Sequence, residues 1–342
     1  MKSFGIFAIY AAAALVLAGC KPDENNSGSG SGSGNGNWWY GYGLAPTGVK
    51  SITFDNYTDY YDKSGRIVSS KSQWGETSYS YNSDGLPVSV VEKGIQDGEV
   101  VSTSITTMEY RNSGKFCPIP MGPGSVFHIF EMGLLPGLSR VTVDDGIEGA
   151  EPTVMDYVFS GNTLTIKTSG QYTGYDEITG EEVLKDYEDV VIEYQGAYPY
   201  KLDAEHEFIG PLTYQDNGMF DTYVEGFYSW DAAHIVTTER TRTVSKNFKD
   251  KMLVEKEVGK YYNTPSGELW NTETIVYTYN EHGDTLTEVT TNTSEGSESY
   301  TYTYTYEYDS HGNWTKMTCT MTSSNSSYEP RTWTNERTIV YY

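Results

Sequence analysis

The chain has 342 residues and a formal net charge of −24, from 47 acidic against 23 basic side chains. So acidic a surface excludes the broad phosphate-neutralising contact by which proteins hold nucleic acid. Hydrophobic residues make up 37%, but 31 of them are tyrosines, so a thick aliphatic core is excluded and thin tyrosine-faced sheets are expected instead.

The first element is an address. Lys2 precedes an apolar run from Phe4 to Ala18, too short for a membrane-spanning helix and flanked as an export signal is. The run ends in Leu17-Ala18-Gly19-Cys20. This resembles the lipobox of bacterial lipoproteins, which implies that residues 1–19 are removed and that Cys20 carries lipid on its sulfur and its amine. Several acyl chains hold a protein at a membrane where one does not. Lys21-Pro22-Asp23-Glu24 resembles the surface-export signal of Bacteroidota lipoproteins, which implies an outer-membrane, cell-surface location. Asn25 to Asn37 contains only Gly, Ser and Asn. Such a segment behaves as flexible coil, spanning roughly 20 Å root-mean-square. Residues 20–37 are therefore expected to form a lipidated tether.

The folded region is expected over residues 38–342. It opens on Trp38-Trp39-Tyr40-Gly41-Tyr42, aromatics that either staple a terminal strand to the domain or stack on sugar rings. From Ser51 a phrase recurs: an alternating strand, a tyrosine, an Asx residue and a turn closed by glycine. Its copies are Tyr61-Asp62-Lys63-Ser64-Gly65, Tyr81-Asn82-Ser83-Asp84-Gly85, Tyr279-Asn280-Glu281-His282-Gly283 and Tyr308-Asp309-Ser310-His311-Gly312, with a weaker one at Tyr110-Arg111-Asn112-Ser113-Gly114. Asx accepts hydrogen bonds from the backbone ahead of it, and glycine supplies positive φ. Tyr300, Tyr302, Tyr304, Tyr306 and Tyr308 fall on one face of a strand, with Thr301, Thr303, Thr305 and Glu307 on the other. Two registers are open for the last hairpin. A three-residue loop pairs Tyr308 with Trp314; a four-residue loop sets the tyrosines against Met317, Cys319 and Met321.

These phrases resemble YD (RHS-type) repeats, found in small lipoproteins of gut Bacteroidota. The resemblance implies an all-β fold, an extended antiparallel meander of hairpin repeats. Large members curl such a sheet into a shell, and this chain has too few units for one. A loop-rich insertion at about 117–140 interrupts the pattern. Its prolines and glycines argue against a regular strand, while Val126, Phe127, Ile129, Phe130, Leu134, Leu135 and Leu138 form the densest aliphatic cluster. Covering one sheet face is its expected role, with a gate or partner-binding loop as the alternative. A hairpin is expected at 154–168, turning at Phe159-Ser160-Gly161-Asn162, and further strands at 192–194, 212–214, 227–230, 238–246, 252–260 and 338–342. The basic residues Arg240, Arg242, Lys246, Lys249, Lys251, Lys256 and Lys260 read as solvated strand faces.

Motifs that carry chemistry are missing. The sequence holds no Gly-x-Ser-x-Gly elbow, phosphate loop, dinucleotide fingerprint or His-Glu-x-x-His. His128, His206, His234, His282 and His311 lack metal-ligand spacing, and the equivalence of His282 and His311 reflects the repeated turn. Asp284-Thr285-Leu286 resembles a Bacteroidota O-glycosylation site. Cys117 and Cys319 remain in an exported chain, where a disulfide is permitted and a pair of free thiols equally so. No catalytic, metal or cofactor-binding residue is assigned. The expected function is a non-catalytic binding or scaffold module at the outer membrane, with glycan or protein as ligand. The alternatives are a glycan hydrolase with paired carboxylates and a subunit of a surface assembly joined by strand pairing.

Overall fold

A computed structural model describes residues 48–118, 134–147, 149–175, 182–187, 189–203, 207–214, 220–230, 236–248, 254–264, 266–294 and 298–342. Cys20, expected to carry lipid, the expected tether, the aromatic cluster at 38–42, most of the insertion, and His128, His206 and His234 lie outside the described residues. Every regular element among the described residues is a β-strand. The all-β antiparallel meander expected from the repeats is the fold observed. It divides into two compact units, Met1–Ile67 with Arg242–Tyr342, and Val68–Thr241.

In the first unit the strands Val254–Thr264, Glu268–Tyr279, Thr285–Asn292, Tyr300–Tyr308, Trp314–Ser323 and Arg331–Glu336 pair in sequence order, each antiparallel to the next. The C-terminal strand Thr338–Tyr341 instead pairs with Val49–Thr53, which pairs in turn with Tyr57–Tyr61. Period-two alternation gives the sheet two unlike faces. Tyr302 stands opposite Met321, Tyr304 opposite Cys319 and Tyr306 opposite Met317, on the face that leads into the core of Ile52, Tyr61, Trp314, Met317 and Cys319. On the other face Thr278, Thr287, Thr303, Thr320 and Thr332 follow one another across five strands. Their hydroxyls meet at 2.7 Å (Thr278 and Thr287) and 3.0 Å (Thr320 and Thr332), and those of Thr318 and Thr334 at 3.2 Å.

Both registers left open for the last hairpin are used. Tyr308 pairs with Trp314, and a β-bulge then shifts the ladder so that Glu307 pairs with Lys316 and Tyr306 with Met317. The same shift separates Tyr279 with Thr285 from Thr278 with Thr287, and Tyr81 with Pro87 from Ser80 with Ser89. One extra residue beside the turn satisfies the short loop and still keeps the tyrosines facing the core.

In the second unit Gly75–Tyr81, Pro87–Gln96 and Glu99–Tyr110 form a meander, and Glu99–Tyr110 then pairs with Leu138–Asp144. The sheet continues through Thr153–Ser160, Thr163–Ser169, Val190–Gln195 and Tyr198–Asp203. The insertion corrects one expectation: its two ends are strands, Phe116–Pro118 paired with Leu134–Pro136. They lie where a sheet face needs cover. Leu134, Leu135 and Leu138 are buried with Val141, Met155, Leu164 and Ile192, and the Tyr157 and Tyr194 hydroxyls donate to the carbonyls of Pro118 (3.0 Å) and Phe116 (2.8 Å).

The possible disulfide is not formed. Cys117 and Cys319 are free, buried thiols. Each packs in its own unit, Cys117 beside Tyr194 and Cys319 opposite Tyr304.

Candidate functional site

Two features of the first unit bring polar and aromatic side chains together. The first is the column of hairpin turns. In each turn the Asx side chain accepts two backbone N–H groups. Asn280 accepts from His282 (2.9 Å) and Asp284 (3.0 Å), and Asp309 accepts from His311 (2.8 Å) and Asn313 (3.0 Å). Asp62 accepts in the same way from Ser64 (2.8 Å) and Arg66 (3.1 Å). Gly65, Gly283 and Gly312 close these turns at φ of 82°, 83° and 79°.

Each turn of the later pair also receives a tyrosine from further along the chain. The Tyr308 hydroxyl donates to Asp284 at 2.5 Å, accepts from the Asn280 amide at 2.5 Å, and its ring stacks on His282 at 4.3 Å. The Tyr341 hydroxyl donates to Asp309 at 2.5 Å, accepts from Asn313 at 2.8 Å, and its ring stacks on His311 at 3.9 Å. The two assemblies have the same parts with amide and carboxylate exchanged, Asn280 and Asp284 in one and Asp309 and Asn313 in the other, and each turn is latched by a tyrosine of a later strand. His282 and His311, equivalent positions of the repeated turn, each stack on the tyrosine that latches it. Among the described residues no three His, Cys, Asp or Glu side chains gather as metal ligands.

These assemblies perturb their own acids. Burial raises the Tyr341 hydroxyl to about 12, with Asp309 as its acceptor adding to the shift. Burial alone would also raise Asp309, but the hydroxyl of Tyr341 and the N–H groups of Asn313 and His311 outweigh it and hold that carboxyl below 3.8.

The second feature is the tyrosine face beyond the turns. Tyr277, Glu288 and Tyr302 form one row across three strands, and Ile275, Thr290 and Tyr300 form the next. All six are partly exposed. At one side Tyr261 meets Trp270 with ring centroids 5.5 Å apart, and Trp270 is 43% exposed. Trp270 reaches this position because it is the extra residue of a bulge, between Asn271 opposite Tyr261 and Leu269 opposite Tyr262. Across the sheet Tyr302 meets Trp333 edge to face at 6.2 Å. Burial raises the Glu288 carboxyl above its ordinary range, in line with a site drier than open water. Such a surface offers flat aromatic area beside a half-buried carboxylate.

The sequence placed the tyrosines of 300–308 on one face, and the structure keeps them there. It did not single out Tyr261, Trp270 or Tyr277 as neighbours of that face. Their only signal was the alternation of the two preceding strands, and the bulge at Trp270 leaves none. Asp284 is buried and engaged with Tyr308, so the Asp284-Thr285-Leu286 motif does not present its acid to solvent.

The fold and this face define a class: an all-β antiparallel meander with latched Asx-glycine hairpins. No family model matches the chain, and no curated protein does. Among solved structures it is similar to a chain of the Photorhabdus luminescens Tc holotoxin pore at 14% identity and a TM-score of 0.21, over 81% of this chain. This chain spans only 16% of that toxin chain. It is also similar to porin-like proteins from Bacteroides uniformis, at 15% identity and a TM-score of 0.24 over 86% of this chain and 99% of that one, and from Bacteroides vulgatus, at 9% identity and a TM-score of 0.24 over 87% and 99%.

Proposed function

We propose that this is a lipid-anchored protein of the bacterial outer membrane that binds glycans without turning them over, through the tyrosine face of its first unit. One observation carries the binding part. Tyr261, Trp270, Tyr277, Tyr300 and Tyr302 are brought to one face of four consecutive strands, and Trp270 is 43% exposed. Tyrosine and tryptophan supply large, rigid, amphipathic contact area at low entropic cost, and their ring faces suit the C–H faces of sugars. Glu288, half-buried between Tyr277 and Tyr302, borders the rings and can accept hydrogen bonds from sugar hydroxyls. Support for the address is the Leu17-Ala18-Gly19-Cys20 run and the Gly/Ser/Asn tether behind it.

A glycan array probed with the soluble chain from residue 38 onward tests the binding. Specific signals are expected, weakened at least tenfold by Trp270→Ala with Tyr302→Ala while the circular dichroism spectrum is unchanged. An empty array would end the binding proposal, and turnover of any polysaccharide would end its non-catalytic part. Radiolabelled palmitate incorporation tests the anchor. Label is expected in the wild type and absent from Cys20→Ser, and an unlabelled wild type would overturn that assignment.

A further inference from the structure

The strand Arg331–Glu336 pairs with Trp314–Ser323 along one edge, in unbroken register from Lys316 with Glu336 to Met321 with Arg331. Its other edge pairs with none of the described strands, and Arg331, Thr332, Trp333, Thr334 and Glu336 are exposed. An edge of this kind presents a row of unpaired N–H and C=O groups, which proteins usually blunt with proline, lysine or a bulge. Within Arg331-Thr332-Trp333-Thr334-Asn335-Glu336 there is no proline, lysine or bulge, and the two charges, Arg331 and Glu336, stand at its ends and leave Thr332 to Asn335 unguarded. Trp333, 40% exposed, sits at its middle.

We propose that this edge pairs with the same edge of a second copy of the chain, antiparallel about a two-fold axis, with Trp333 opposite its own counterpart. Directly opposed residues of an antiparallel pair share a face. A two-fold axis normal to the sheet therefore opposes only residues an even number apart, which leaves two central registers. Centring on Trp333 sets Thr332 against Thr334 of the second copy, twice, and Arg331 against Asn335, twice. The threonine pairs would extend across the junction the hydroxyl contacts that Thr332 and Thr334 already make with Thr320 and Thr318. No like charges are opposed, and the tryptophans meet on the tyrosine face. Centring on Thr334 instead puts Glu336 against Thr332 and Trp333 against Asn335, and gives up one threonine pair. The contact is isologous and closes at two copies. Its area is small, so a weak dimer is expected.

Cysteine cross-linking of the full chain in membranes tests the pairing and its register. Opposed Cα atoms of an antiparallel pair lie about 4.5–5.5 Å apart, within disulfide reach. Mild oxidation of Trp333→Cys is expected to give a reductant-sensitive dimer several-fold more abundant than that from Thr334→Cys. The native Cys117 and Cys319 are buried and give the unsubstituted chain as background. A dimer stronger at Thr334→Cys would overturn the register, and no dimer above background at either position would overturn the pairing. Sedimentation of the otherwise unsubstituted full chain in detergent provides a readout independent of cysteine. Concentration-dependent dimerisation abolished by Trp333→Lys is expected, and a monomer at every concentration would overturn the proposal.

Discussion

Asp309 shows how much one side chain does in this repeat. It accepts the Tyr341 hydroxyl at 2.5 Å and the His311 and Asn313 N–H groups at 2.8 and 3.0 Å, so turn and latch depend on one carboxylate. Its folded pKa is lowered beneath 3.8. A lowered carboxylate contributes stability that is present above its unfolded pKa and lost as pH falls through its folded one. Asp309→Asn is therefore expected to destabilise the protein by about 1 kcal/mol at neutral pH, and the gap should narrow in urea titrations as pH falls below 3.8. Glu288 has the opposite sign. Burial raises its folded pKa above 4.5, so its favourable contribution is fully present only below that value and is lost as pH rises through the folded pKa. Glu288→Gln should raise the urea midpoint at pH 7 and leave it unchanged near pH 4 or below. Equal midpoints at pH 7 would show that the carboxyl is solvated.

At the scale of the element, the hairpin depends on a glycine with positive φ followed by a bulge. Gly312 sits at φ 79°, and a Cβ added there would meet only His282, at an ordinary 3.6 Å. Gly312→Ala should then cost the left-handed penalty alone, about 1–2 kcal/mol. Gly137 differs. Its φ is 69°, and an added Cβ would fall 2.0 Å from the Arg111 carbonyl oxygen. The Gly137 N–H donates to Lys115 at 2.8 Å and its carbonyl accepts from Arg111 at 2.7 Å, so the segment cannot easily move away. Gly137→Ala is expected to cost clearly more than Gly312→Ala, read as a larger drop in thermal midpoint. An equal drop would show that the backbone there yields. The turn chemistry was legible in the sequence because Asx and glycine act within five residues. The bulge was not, since two short loops are both stereochemically sound and only the packing of Tyr304 and Tyr306 opposite the buried Cys319 and Met317 requires the extra residue.

Across the molecule each of the two units has its own buried residues, and one thiol reports on each. Cys117 is completely buried in one, where burial pushes its thiol up to about 12 against the opposing influence of Tyr194 and Arg111. Cys319 is completely buried in the other. A thiol reagent at mild alkaline pH should titrate neither cysteine in the folded chain from residue 38 onward, and both in denaturant. Prompt reaction of one thiol alone in native buffer would show that its unit opens.

What the sequence by itself determined is local: alternation that makes strands, tyrosine and threonine sorted to opposite faces, and turns placed by Asx and glycine. Neighbours in sequence then pair because little chain must be ordered to join them. Only the tertiary structure decided the pairing of Thr338–Tyr341 with Val49–Thr53, the latching of each later turn by a tyrosine of a following strand, the bulged registers and the separate burial of two unpaired thiols. Each of these joins residues far apart in the chain. Their partners are chosen by which surfaces and hydrogen-bonding groups remain uncovered once the local pieces have formed, and no short stretch of sequence carries that information.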